Sequence, residues 1–216
     1  WYQGYADYND GMKMVEEFIK RLVKDVHGGT TFEFQGNKID VSKWKKMTLG
    51  DAIKEYLGEN INDIKSDEDA KKLAEKYEIP AEGVSKINIA DELMKLFRDK
   101  LIQPTFLIDY PMELAPLAKP KPEDQSKAEI FQPFIGGLEL ARAYSELNDP
   151  RLQGEHFKEQ EDERTKGNKE AMPTDMDFVT ALEQGMPPAC GVGFGIERLL
   201  MVLTDNTSIR DVLAFP

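Results

Sequence analysis

Apolar residues return at three- and four-residue steps through Met12, Val15, Ile19, Leu22 and Val26, and the run stops at His27-Gly28-Gly29. That period puts one stripe against a core and predicts a helix over residues 8–26. Ahead of it, residues 1–7 alternate as the end of a strand. Tyr2, Gly4 and Ala6 share one face, and Trp1, Gln3, Tyr5 and Asp7 share the other. Thr30–Phe34 and Lys38–Val41 flank Gln35-Gly36-Asn37 and read as a hairpin. Residues 44–101 read as short helices. Thr48 is placed to cap one that carries Ala52, Ile53, Tyr56 and Leu57. Ser66 followed by Asp67, Glu68 and Asp69 opens a second, since carboxylates suit the positive end of the dipole. Ile87, Ile89, Leu93, Leu96, Phe97 and Leu101 form the stripe of a third. This block reads as a helical insert between parts of a sheet.

Residues 104–109 look like a buried strand, and Lys119-Pro120-Lys121-Pro122 like a loop. Phe131–Ile135 and Leu138–Leu147 read as strands joined at Gly136-Gly137. A polar helix opens at Asp149-Pro150, a short one covers Asp175–Gln184, and a third runs from Ile196 to Leu203. Hairpin-linked strands with helices grouped apart predict an α+β fold with an antiparallel sheet flanked by helices.

Charge narrows the function. The 216 residues carry 28 basic and 40 acidic side chains, a formal net charge of -12, which argues against gripping nucleic acid by charge alone. No apolar run approaches the roughly 18–20 residues of a membrane span. The single cysteine, Cys190, excludes an internal disulfide framework and fits a reducing cytoplasm. His27 and His156 make no zinc pattern with it. The chain opens with Trp1 inside a strand-like segment, so it reads as a piece of something longer.

Two stretches could carry chemistry. In Gly191-Val192-Gly193-Phe194-Gly195-Ile196-Glu197-Arg198, glycine takes every second position. As a strand this strips one face bare, either for a flat ring lying on the backbone or for close packing against another element. Arg198 falls in the first turn of the next helix, where anions are favoured. The spacing is not that of a Rossmann loop. In residues 136–150, Glu139 and Glu146 interrupt an apolar strand, and each either faces solvent or serves a cation.

Residues 5–8 (YADY), 103–111 (QPTFLIDYP), 143–150 (AYSELNDP), 191–204 (GVGFGIERLLMVLT) and 209–216 (IRDVLAFP) together resemble bacterial-type class II lysyl-tRNA synthetases, in order and from end to end. The resemblance implies the class II catalytic-domain fold, with the helical insert at about 44–101, motif 3 at about 188–216 and the return strand of motif 2 at residues 1–8. It implies a Mg²⁺-assisted enzyme that joins L-lysine to AMP from ATP and passes lysine to tRNA(Lys), as a cytoplasmic homodimer with no membrane. On this footing Glu139 holds Mg²⁺ beside ATP, and Gly191, Gly193, Gly195 and Arg198 hold ATP, with Arg198 on its terminal phosphate. Glu139 and Arg198 are the catalytic candidates. Tyr2, Arg142, Tyr144 and Glu146 line the lysine pocket, with Glu146 receiving the ε-ammonium. The alternatives are a paralogue that attaches lysine to a protein, and a binding module that kept only the fold.

Two positions depart from the family. Gln132 stands where a second metal-binding acid is usual, and Arg142 where asparagine is usual, so Arg142 must turn away from an ammonium group or pair with an acid. These residues also hold no counterpart of the anticodon-binding domain, of motif 1, or of the motif 2 loop arginine, so the chain alone is expected to be inactive. One geometric demand follows. Arg142, Tyr144 and Glu146 share parity in a regular strand and Glu139 does not, so a shared pocket requires a bulge between residues 139 and 142.

Overall fold

A computed structural model describes residues 1–165, 171 and 173–215. Residues 166–170, the end of a highly charged run from residue 155, lie outside the described residues, as does Pro216 of the motif 3 stretch. A seven-stranded sheet forms the centre, in the order β1-β9-β8-β6-β5-β4 with β7 also on β6. Its strands are β1 (Tyr2–Gly4), β4 (Lys45–Thr48), β5 (Thr105–Ile108), β6 (Ile130–Ile135), β7 (Leu138–Glu139), β8 (Ala141–Ser145) and β9 (Ala189–Phe194). The hairpin β2 (Thr31–Phe34) and β3 (Asn37–Asp40) pairs only with itself.

The first helix, α1 (Tyr8–His27), is fixed at both ends. Asp7 accepts from the Asn9 and Asp10 amides in a capping box, and Gly28 ends it at φ 76°. Its buried stripe of Met12, Val15, Ile19 and Val23 packs with Leu199, Val202 and Leu203 of α7 (Ile196–Thr204) against Phe131, Ala143, Cys190 and Val192 on one sheet face. Contact there is close: a Cβ on Gly11 would stand 2.6 Å from Cys190 Sγ and 3.1 Å from Phe131 Cε1. Gly11→Ala is therefore expected to destabilise the fold by about 1–2 kcal/mol in denaturant titration, overpacking outweighing the helix propensity gained. Burial pushes the Cys190 thiol up to about 12, as expected of a core cysteine.

The opposite face is covered only in part. There α2 (Leu49–Leu57), α3 (Asp67–Lys76) and α4 (Ile89–Lys95) bury Ile53, Ala74, Leu93 and Phe97 with Leu107, Ile130 and Phe134. Thr48 caps α2 and Ser66 caps α3. The predicted third helix ends at Lys95, earlier than its stripe, and continues as a 3-10 turn over Arg98–Lys100. The remaining helices, α5 (Pro150–Thr165) and α6 (Met176–Glu183), meet through Phe157 and Phe178. His156, half-buried, sets Nδ1 3.0 Å from the Pro116 carbonyl.

The sheet is antiparallel except for one strand pair among the described residues. The first residues of the 44–101 block form β4, which pairs parallel with β5. Its Lys-Lys-Met-Thr sequence has one apolar side chain, so no alternation betrays it, and lysines suit an edge that must not pair further. Gly136 and Gly137 have φ of 61° and 78°, the two left-handed positions of a tight hairpin turn.

The second predicted strand is not continuous. Phe134 pairs with Glu139, yet Phe131 pairs with Ala143, so three steps on β6 answer four across β7 and β8. The extra residue is a bulge at Leu140, whose amide bonds the Pro133 carbonyl at 2.9 Å. Leu140 and Ala141 consequently both enter the α1-side core. Glu139 thereby joins Tyr144 on the opposite face, since their partners Phe134 and Ile130 share it.

Candidate functional site

Beyond the helical cover, the face over β8, β9 and β1 stays open. A cavity of about 410 Å³ there is lined by Tyr2, Arg142, Tyr144, Glu146, Gly191 and Gly193, among others. Strand register explains the set. Tyr144 lies opposite Gly191 on β9, Gly191 opposite Tyr2 on β1, and Arg142 opposite Gly193. Glu146 is the next side chain of that parity, tied to β9 by its amide bond to the Ala189 carbonyl.

Glu146 is half-buried, and burial alone pushes its carboxyl up to about 7. No cation is in ion-pair contact with it among the described residues. Burial likewise pushes the Tyr144 hydroxyl up to about 12, with Glu146 and Tyr2 adding to it. Such a carboxylate is short of a counter-charge among the described residues and lines one cavity with two tyrosines, a setting for an alkylammonium group.

Gly191 has a role that its spacing did not reveal. A Cβ there would lie 1.8 Å from Glu146 Oε1 and 2.9 Å from Tyr2 Cε1. The missing side chain makes room for the carboxylate, so this part of the bare face is already covered. Gly193 and Gly195 differ, since a Cβ would meet nothing closer than 3.6 Å and 3.5 Å. Protein packing gives no reason for glycine at either, and both leave backbone open to a ligand. The strand ends at Phe194, so Gly195 is the residue before α7 and not part of the bare strand.

Arg198, exposed in the first turn of α7, donates from Nη1 to the Glu139 carbonyl at 2.9 Å. The Glu139 carboxyl is raised by burial, with Arg142 and Arg198 pulling it back. Its Oε1 accepts from Gln132 Nε2 at 3.0 Å, while Gln132 Oε1 accepts from the Tyr110 hydroxyl. Arg142 turns its Nη2 away to the Leu114 carbonyl at 2.7 Å. A second cavity of about 320 Å³ shares Arg142 and Tyr144 and adds Asp91 and Glu113. Sequence reasoning missed Tyr110. The available signal was a tyrosine just past the end of a buried strand, since a buried hydroxyl must find a partner.

No group of three or more His, Cys, Asp or Glu side chains able to hold a metal is present among the described residues. A Mg²⁺ carried on nucleotide phosphates needs only one or two protein carboxylates. Glu139, half-buried and in no ion pair among the described residues, fits as one such contact. No helix among the described residues is long and apolar enough to cross a membrane.

The family described as tRNA synthetases class II (D, K and N) matches residues 1–216. The chain is similar to a protein named Lysine--tRNA ligase from Clostridium perfringens, 45% identical over 221 residues that take in 100% of this chain and 44% of the relative. It is also similar to proteins of the same name from Listeria monocytogenes (44% over 218 residues) and Thermoanaerobacter pseudethanolicus (45% over 218 residues), again spanning 100% of this chain and 44% of each. The chain thus spans less than half the length of these curated relatives.

Proposed function

The chain belongs to the class II tRNA synthetases (D, K and N), and we propose that it is part of a lysine-specific catalytic domain, the C-terminal part. The whole protein would join L-lysine to AMP from ATP, release pyrophosphate, and pass lysine to the 3′ end of tRNA(Lys). Residues 1–216 alone are proposed to bind lysine without completing the reaction. The shared name of the relatives favours tRNA over a protein as acceptor. A cytoplasmic homodimer is the proposed working form.

Glu146 carries this reading. A half-buried carboxylate with no counter-ion among the described residues, lining one cavity with Tyr2 and Tyr144, would select a side chain ending in a cation. A neutral side chain of the same length would leave the carboxylate unpaired, and that penalty gives discrimination. Arg142, turned to the Leu114 carbonyl, leaves the ammonium end undisturbed. Toward α7, Gly193 and Gly195 would let the nucleotide ring approach the backbone, and Arg198 would meet the phosphates. When bound, Mg²⁺ would offset phosphate charge, with Glu139 holding it. Fixing the two substrates in line supplies most of the rate in such a transfer.

The test is pH-resolved calorimetry with lysine, alongside lysine-dependent pyrophosphate exchange by the whole protein. Because the Glu146 carboxyl is raised to about 7, it is largely neutral below that pH. Without ligand, its contribution to stability is present below the ordinary carboxyl range and lost as pH rises through about 7. Lysine needs the charged form, so affinity should rise about tenfold per unit up to about pH 7 and then level off, with a proton released on binding below that point. Affinity that stays flat between about pH 5.5 and about pH 8 would remove Glu146 from the lysine pocket.

A further inference from the structure

Tyr110 lies outside both cavities yet is tied to the site. It is 1% exposed, and Met94 Sδ of α4 lies 3.3 Å from its hydroxyl. That hydroxyl donates to Gln132 Oε1; Gln132, also 1% exposed, donates from Nε2 to Glu139 Oε1 at 3.0 Å. The main chain of Glu139 then meets Arg198. The direction of the chain of bonds is forced. A carboxylate only accepts, so the Gln132 amide nitrogen must face Glu139, which leaves the amide oxygen for a donor. Tyr110 supplies it, because burial holds its hydroxyl neutral.

We propose that Tyr110 is a positioning residue: through Gln132 it fixes the Glu139 carboxylate in place and commits the Gln132 oxygen to the core instead of to a cation. Glu139 then carries the nucleotide-borne metal without help from residue 132. This second part rests on the role proposed above for Glu139. An acid at 132 would set two carboxylates side by side, a pair that needs a cation between them. Glutamine converts the pair into one donor and one acceptor that hold their geometry without it. Because Met94 of the helical insert touches the same hydroxyl, the insert braces the site from behind.

The test begins with the chain as it is. Nitrogen-15 spectra should show the two Gln132 amide protons widely separated and slow to exchange with solvent. In Tyr110→Phe, which keeps the ring and removes the hydroxyl, exchange at Gln132 should speed up by at least about tenfold. Mn²⁺–ATP affinity should weaken by about tenfold, as for loss of an outer partner of a metal ligand, while lysine affinity at Glu146 stays unchanged. A structural defect would move both affinities together. Rapid exchange at Gln132 in the unaltered chain, or unchanged exchange in Tyr110→Phe, overturns the relay. If the unaltered chain binds no Mn²⁺–ATP yet its Gln132 protons are protected and Tyr110→Phe frees them, the relay stands and the nucleotide role of Glu139 falls.

Discussion

Glu146→Gln is expected to weaken lysine binding by about 100-fold or more, the scale of losing one partner of a desolvated charge pair. The amide keeps the shape of the side chain, so Tyr2, Tyr144 and Gly191 have no reason to move. Only the charge disappears. The carboxyl is raised to about 7 by burial, so the free protein is disadvantaged by that charge at alkaline pH. The same substitution should therefore leave the melting temperature at about pH 8 unchanged or higher. A fall in binding with a rise in stability is the signature of a carboxylate kept for its ligand. Calorimetry with lysine and thermal melts at about pH 8 read the two quantities separately. Unaltered lysine affinity would contradict the assignment, whatever the melts show.

Gly191→Ala should be nearly as damaging by a different route. Its Cβ would fall 1.8 Å from Glu146 Oε1, inside any contact distance, and 2.9 Å from the Tyr2 ring. The carboxylate must leave its position, and strand β9 or β1 must give way. We expect lysine binding to drop by more than about tenfold and stability by about 1–3 kcal/mol, the usual range for overpacking. Gly193→Ala is the control, because its Cβ meets only the Arg142 carbonyl at 3.6 Å. It should fold and bind lysine normally while ATP binding suffers. Equal behaviour of the two variants in lysine calorimetry would show that the glycines are not divided between amino acid and nucleotide.

Much of this arrangement could be read from residue order. Periodicity located α1, and the capping residues Thr48 and Ser66 located α2 and α3, because these signals are local. Parity in the strand placed Arg142, Tyr144 and Glu146 together, and the shared pocket that the resemblance implies required the break that stands at Leu140. What escaped was the part decided by register between distant strands. Nothing near Gly191 in sequence announces that Glu146 will lie over it; only the pairing of Tyr144 with Gly191 does so. The edge strand β4 escaped because its partner β5 begins some 60 residues later, as pairing of Lys45 with Thr105 requires, and its own side chains are polar. Tyr110 escaped because its acceptor, Gln132, lies on another strand 22 residues away, and a hydroxyl does not name its acceptor.

The bulge at Leu140 makes the spacing of the two carboxylates a matter of phase. Adding or removing one residue between Glu139 and Arg142 would barely alter the length of the strand, but it would invert one acid relative to the other. Two residues would restore the phase and stretch the gap by one pleat, about 7 Å. Among relatives, this short interval is therefore a place where changes of odd and even length carry opposite meanings, and where a shift of one position in an alignment exchanges the proposed nucleotide contact for a core leucine.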